Sequence, residues 1–193
     1  MSKNKVLYGL TNVHYATYTR DEDGAYKYDE PVRVEGAVSL TMAPTGDPMN
    51  FYADNGIFFS RNSNTGYEGT LTIAMITDKF RTDVLGEKMI NGGFLETSDA
   101  KGKDIALMFE IDGDVEASRF VYYDCTVARP TQTANTTAES IEIEGQELSF
   151  TAKPRINDKA IRWNTGEATP EEMYNDFFKA VIEPVEVTPT PEP

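Results

Sequence analysis

The chain has one cysteine, one histidine and one tryptophan in 193 residues. A lone Cys125 excludes an intrachain disulfide, and within "RFVYYDCTVAR" it reads as a small buried apolar side chain. A lone His14 leaves no second imidazole or thiol nearby for a zinc site, and a Ser-His-acid triad would need that one ring at its centre. Trp163, ahead of the last helical pattern, reads as a core anchor. No apolar run approaches the roughly 18 residues that cross a bilayer, and "MSKNKVLYGL" is too weakly apolar for a signal peptide, so the expectation is a protein made in the cytosol with no membrane role. Without such a signal, the glycosylation match at Asn135-Thr136-Thr137 carries no weight.

Positive charge is also scarce. Lys and Arg number 18 against 32 Asp and Glu, a net charge of −14. The acid excess is not confined to the end, because the chain up to residue 170 holds 26 acids and 17 bases. A protein that grips nucleic acid needs cations to displace the counterions around phosphates, and no such footprint is present. Nucleic acid can pass this protein without being held.

The motifs that could carry chemistry are incomplete. "GYEGTLTIAMITDKFRTDVLG", Gly66 to Gly86, runs from a strand pattern into a helix pattern, but its junction has no glycine and Asp78 would repel a phosphate. "KGKD" at Lys101 to Asp104 lacks the rest of a phosphate-loop pattern. Asp21, Asp23 and Gly24, and Asp112 and Asp114, resemble fragments of calcium loops without the full ligand series, so exposed turns are expected. Paired carboxylates for glycoside chemistry stay open, since their pairing is spatial. No catalytic, cofactor or metal residues are assigned, and a non-enzymatic protein is expected.

What is abundant is alternation with period two. Val34, Val38, Leu40 and Met42 alternate with Glu35, Ser39 and Thr41. Similar series are Leu71, Ile73 and Met75; Ile105, Leu107, Phe109 and Ile111; Val121, Tyr123, Cys125 and Val127; Ile141 and Ile143; Leu148 and Phe150. Asp112-Gly113 and Glu144-Gly145-Gln146 suit hairpin connections. The fold class expected is mainly β, an antiparallel sandwich or barrel with a flanking helix and a C-terminal helix. In the first helix Ile76, Phe80 and Val84 lie four apart, with Thr77 as cap and Gly86 closing it. In the second, Thr169 is the expected N-cap, Pro170 the first residue, and Met173, Phe177, Ala180 and Val181 the apolar stripe.

Two stretches lack a clear pattern yet carry large apolar side chains: an amino-terminal arm over residues 1–31 and a long loop over 43–65. Met49, Phe51, Tyr52, Phe58 and Phe59 of the loop, and Tyr8, Tyr15 and Tyr18 of the arm, are expected either to pack on the chain's own domain or to stand at contacts between subunits. One domain is expected over residues 1–184, with a Pro-rich acidic tail over 185–193 expected to be extended or disordered.

The order of these parts resembles a known family. "VRVEGAVSLTMAPTGDPMNFYADNGIFF", then "NTGYEGTLTIAMITDKFRTDVLGE", then "GGFLETSDAKGKDIALMFEIDG" and "RFVYYDCTVARPT", with "EMYNDFF" near the end, is similar to the major tail proteins, or tail tube proteins, of long-tailed bacteriophages of Gram-positive hosts. The similarity spans about Lys5 to Pro184. It implies a β-sandwich assembled as stacked hexameric rings into a hollow virion tail tube, built in the host cytoplasm. Its implied partners are other copies of itself, the tape measure protein in the channel, the tail terminator and distal tail proteins, and DNA passing without specific binding. The residues expected to face such a lumen are Glu35, Ser39, Thr41, Glu142 and Glu144. The rival reading is a β-sandwich carbohydrate-binding or adhesion module of a baseplate or cell-surface assembly.

Overall fold

The computed structural model describes residues 4–132, 136 and 145–183. Its main element is a nine-stranded sheet whose neighbours are all antiparallel. In spatial order it runs through β2 (Tyr26–Tyr28), β1 (Leu7–Arg20), β10 (Ile105–Gly113), β11 (Ser118–Val127), β12 (Gln146–Ala152), β7 (Gly66–Ile73) and β4 (Ala37–Thr45). β3 (Val32–Arg33) adds to β1, and β13 (Arg162–Asn164) to β11. The chain is mainly β, as its alternation predicts, but the sheet does not close into a barrel.

The sheet curls so that one face encloses the larger core. Val13, Tyr15, Leu71, Ile73, Ile105, Leu107, Phe109, Tyr122, Leu148 and Phe150 meet there. Gly69 lies on this inner face, where a Cβ would meet Thr41 O at 2.1 Å and Met42 Sδ at 2.3 Å. Its missing side chain lets β4 lie close and its methionine fold inward. The helix α1 (Asp78–Asp83) plugs one end of the curl with Phe80, flanked by Ile76 and Val84 as the spacing predicts. Thr77 Oγ1 accepts from Phe80 N at 3.3 Å and caps it.

The outer face is divided. Over β1, β10 and β11 it is apolar, and the C-terminal segment covers it with Phe177 and Val181 against Ala16, Ala106, Met108, Val121 and Tyr123. Helix α2 (Glu171–Asn175) is too short to stand alone, so these contacts hold the segment. Arg119 donates to Tyr174 O, lies 3.8 Å from the Tyr174 ring and pairs with Glu110 at 2.5 Å. Tyr123 donates to Ile182 O at 3.0 Å, and buried Arg155 binds Glu183 at 2.6 Å. Over β12, β7 and β4 nothing covers the outer face among the described residues.

Several expectations need correction. Val38 is 63% exposed because a bulge sets two β4 residues, Val38 and Ser39, against one step of β7, which turns Val38 outward. A second bulge in β11 lies opposite the step from Ile105 to Leu107, so Tyr122 and Cys125 share the inner face while Tyr123 faces outward. Met75 is exposed because β7 ends at Ile73. The expected arm is β1 and β2 of the sheet, not an arm. Asp112 and Gly113 belong to β10, and the turn to β11 follows them. Thr169 Oγ1 accepts from Gly166 N, not from the helix, and Ala180 is exposed. Ile141, Ile143 and the 185–193 tail lie outside the described residues.

Asp124 is fully buried. The β11 bulge aims it at Tyr18 and Tyr26, which donate to it at 2.6 and 2.9 Å, and Lys153 lies 3.4 Å away. Burial, and then the hydrogen bond to Asp124, push the Tyr18 hydroxyl well above its ordinary range, which keeps it a donor. This carboxylate ties β2 to β11. Asp124→Ala should therefore cost about 2–3 kcal/mol in urea denaturation, since two hydroxyls lose their acceptor. Lys153→Ala should cost less than Asp124→Ala, about 1–2 kcal/mol, because the buried carboxylate loses a cation 3.4 Å away but keeps both tyrosine donors.

Candidate assembly surfaces

The uncovered outer face of β12, β7 and β4 is a wall of hydroxyls. Register pairs Thr41 with Thr70 and Thr70 with Ser149, then Ser39 with Thr72 and Thr72 with Glu147. A third row runs Ala43, Glu68, Thr151 and Thr126. These side chains share one face because each strand alternates, and the Leu71, Ile73, Leu148 and Phe150 set takes the other. β-Branched threonine suits a pleated strand, while its hydroxyl suits water. The charges in these rows are Glu68 and Glu147. The cation at the margin, Lys153, is held by Asp104 at 2.8 Å and by Asp124. The wall can border water, and among the described residues its rows carry acids, with Lys153 against Thr126 at the margin neutralised by Asp104 and Asp124.

β4 ends the sheet. Its outer edge has no strand partner among the described residues, leaving backbone donors and acceptors over Ala37–Thr45 open to pairing. Near the Thr45 end an open apolar cleft of about 410 Å³ lies between Leu7, Leu10, Leu40, Met42, Phe109 and Phe120.

From that same end projects a separate hairpin of β5 (Met49–Ala53) and β6 (Gly56–Arg61). Asp54 and Asn55 at its tip have φ of 50° and 62°, the two left-handed residues of a tight hairpin turn. Met49, Phe51, Tyr52, Ile57, Phe58 and Phe59 are all 52–74% exposed. Both hairpin faces are bare, and an isolated two-stranded hairpin is marginal in water.

The expected contact residues therefore divide. Met49, Phe51, Tyr52, Phe58, Phe59 and Tyr8 are exposed, whereas Tyr15 and Tyr18 are 1% and 9% exposed and belong to the chain's own interior. Tyr15 stacks edge-on against Phe80 and Tyr18 serves Asp124, so neither is free to reach a neighbour. Of the expected lumen residues, Glu35, Ser39 and Thr41 are exposed, Glu35 in a turn and the others on the hydroxyl wall. Glu142 and Glu144 lie outside the described residues. The alternation around Leu71 and Leu148 carries the signal for Thr70, Thr72, Glu147, Ser149 and Thr151, which the sequence does not by itself assign to a lumen. Ile57 was missed in the hairpin, where Asp54-Asn55-Gly56 between aromatic runs is a turn pattern.

A further hollow of about 880 Å³, open to solvent, is lined by Asn4, Ser118, Thr169 and the acids Glu116, Glu167 and Glu171. Among the described residues no group of three His, Cys, Asp or Glu side chains is arranged to hold a metal ion. His14 Nδ1 donates to Asn12 O at 2.8 Å and its ring stacks on Phe178; burial holds its pKa below the ordinary value. No helix among the described residues is long and apolar enough to cross a membrane.

No family model matches this chain, and no curated protein matches it. Among solved structures it is similar to a chain of the sheath-tube complex of an extracellular contractile injection system, PVC, in its extended state. Identity is 12%, the alignment covers 82% of this chain and 91% of that one, and the TM-score is 0.49. At that level the likeness supports no inference about function.

Because the hairpin rings belong to neither core cluster, Phe58→Ala with Phe59→Ala should leave the monomer's unfolding free energy in urea within about 0.5 kcal/mol of the parent. A loss above about 3 kcal/mol would mean that the rings are buried in the chain's own interior.

Proposed function

We propose that this protein is a structural subunit that polymerises through copies of itself into rings and then a hollow tube of the phage-tail type. The observation that carries the reading is the bare aromatic hairpin beside the open edge of β4. A strand edge and an apolar hairpin left uncovered together are liabilities for a protein that stays alone. Pairing β4 with a neighbour's sheet satisfies the edge and continues the hydroxyl wall from one subunit to the next.

In such a ring, which we take to be hexameric, the wall of Ser39, Thr41, Thr70, Thr72, Glu147 and Ser149 borders the channel. Glu68 and Glu147 repel phosphates weakly across a Debye length of about 8 Å, and the wall's hydroxyls exchange partners with water. DNA then slides without a cationic trap, and a tape measure protein would fill the same channel during assembly. The tail terminator and distal tail proteins would cap its ends, and the particle would be a virion tail. The role is structural, not catalytic.

Electron microscopy of the concentrated, purified protein tests this. Rings or tubes with an open lumen are expected. Persistent monomers that bind glycans through the exposed aromatics would favour a carbohydrate-binding module instead. In assembled tubes, Glu68→Lys with Glu147→Lys should leave the outer dimensions unchanged yet make the tubes retain short DNA duplexes at low salt, a retention lost at high salt. Tubes of the double variant that retain no more DNA than the parent would remove the wall from the lumen.

A further inference from the structure

A second exposed apolar surface lies at the opposite end of β7 from the aromatic hairpin. β7 begins at Gly66, next to the hairpin's stem, where Thr65 N donates to Thr45 O at 2.9 Å. It ends at Ile73, roughly 25 Å away at the rise of an extended strand. There the chain exposes Met75, turns through α1 and forms a small hairpin of β8 (Lys88–Ile90) and β9 (Gly93–Leu95). Met89, Ile90 and Leu95 of that hairpin are exposed. It is anchored to the body by Arg81, which pairs with Glu87 at 3.3 Å and lies 5.6 Å from the Phe94 ring.

We infer that this β8–β9 surface, with Met75, is the seat for the β5–β6 hairpin of a second copy of this chain. The inference rests on the proposed self-assembly and names the two surfaces that meet between successive copies. Three features select this occupant. The surfaces lie at opposite ends of one strand, so joining them places copies head to tail and leaves each new copy with a free hairpin and a free seat. Their chemistry matches, because flexible methionines adapt to aromatic rings and make favourable sulfur–aromatic contacts. The hairpin tip carries Asp54, and the seat carries Lys88 beside Met89, so their charges are opposite.

The hairpin's apolar side chains lie on both of its faces, so one docked face offers about half of their exposed area, roughly 350 Å². That matches a seat of four side chains, and the contact gains strength by being repeated around a ring.

Cysteine cross-linking tests the contact in solution at the highest soluble concentration, whether or not tubes form. Its failure is thereby distinguishable from failure of the tube reading, which microscopy of the parent protein decides. Single variants Phe58→Cys and Met89→Cys, both at exposed positions, are mixed and oxidised; native Cys125 is fully buried and does not compete. The control mixes Phe58→Cys with Ser149→Cys, which lies on the hydroxyl wall.

The expected result is at least ten-fold more mixed dimer with Met89→Cys than with Ser149→Cys, and more mixed dimer than the self-linked dimer of Phe58→Cys. A smaller ratio, or predominance of self-linked Phe58→Cys, overturns the inference. Met89→Asp with Ile90→Asp, introduced in the Met75→Cys chain, should cut its cross-linking to a Phe58→Cys partner at least ten-fold while its circular dichroism stays that of the parent. Undiminished cross-linking in that variant also overturns it.

Discussion

A sheet has two faces and two edges, and water tolerates each only if it is polar, paired or covered. This chain meets that constraint for one face by curling the sheet around its own core, with α1 as the plug. It meets it for half of the other face by laying Phe177 and Val181 across β1, β10 and β11. The rest of that face needs no cover, because Ser and Thr fill it. What stays unmet is the edge of β4, the hairpin beside it and the apolar β8–β9 surface at the far end of β7. An isolated chain thus settles its interior and leaves its unsolved surfaces at the β4 side and at both ends of the sheet.

The division of the outer face turns on the bulge in β11. One extra residue there moves Tyr123 and Cys125 onto different faces and leaves Asp124 between them, buried and ringed by Tyr18, Tyr26 and Lys153. Upstream of the bulge the outer face is apolar and strapped, and downstream, from Thr126 onward into β12, it is hydroxyl-bearing and bare. A buried carboxylate is weak support for stability when set against an apolar alternative, but it is strict about its partners. Here the partners come from β1, β2 and the end of β12, so the carboxylate holds the strapped half to the bare half.

Legibility in the sequence followed the range of the interactions. The cap at Thr77 and the four-residue spacing of Ile76, Phe80 and Val84 are local, and the helix stands where they put it. Leu148 and Phe150 face inward as their alternation requires. Val38 and the Tyr123–Cys125 pair were misread because a bulge shifts parity by one residue and leaves no mark in an alternating pattern. The amino-terminal tyrosines looked like half-wet contact residues. Their burial depends on Phe80 and Asp124, which are distant in sequence, and Tyr is equally at home in a core when its hydroxyl finds an acceptor. At the candidate surfaces, the exposed loop aromatics and Ser39 and Thr41 were legible, whereas the partner rows on β7 and β12 needed the strand order to join them.

Charge and apolar contact divide the work between copies. At a net charge of −14 the chains repel one another at long range, and at physiological ionic strength that repulsion is screened beyond about 8 Å. Association then depends on short-range contacts, which the hairpin and the open β-edge offer in different directions. The edge can extend a sheet sideways, and the hairpin can reach along the strand axis. Two such contacts, each joining unlike surfaces, are the minimum from which a closed ring and an open stack can both be built. Acidic charge on the wall then acts in the same sense twice, discouraging unspecific aggregation of free subunits and keeping the assembled bore from holding polyanions.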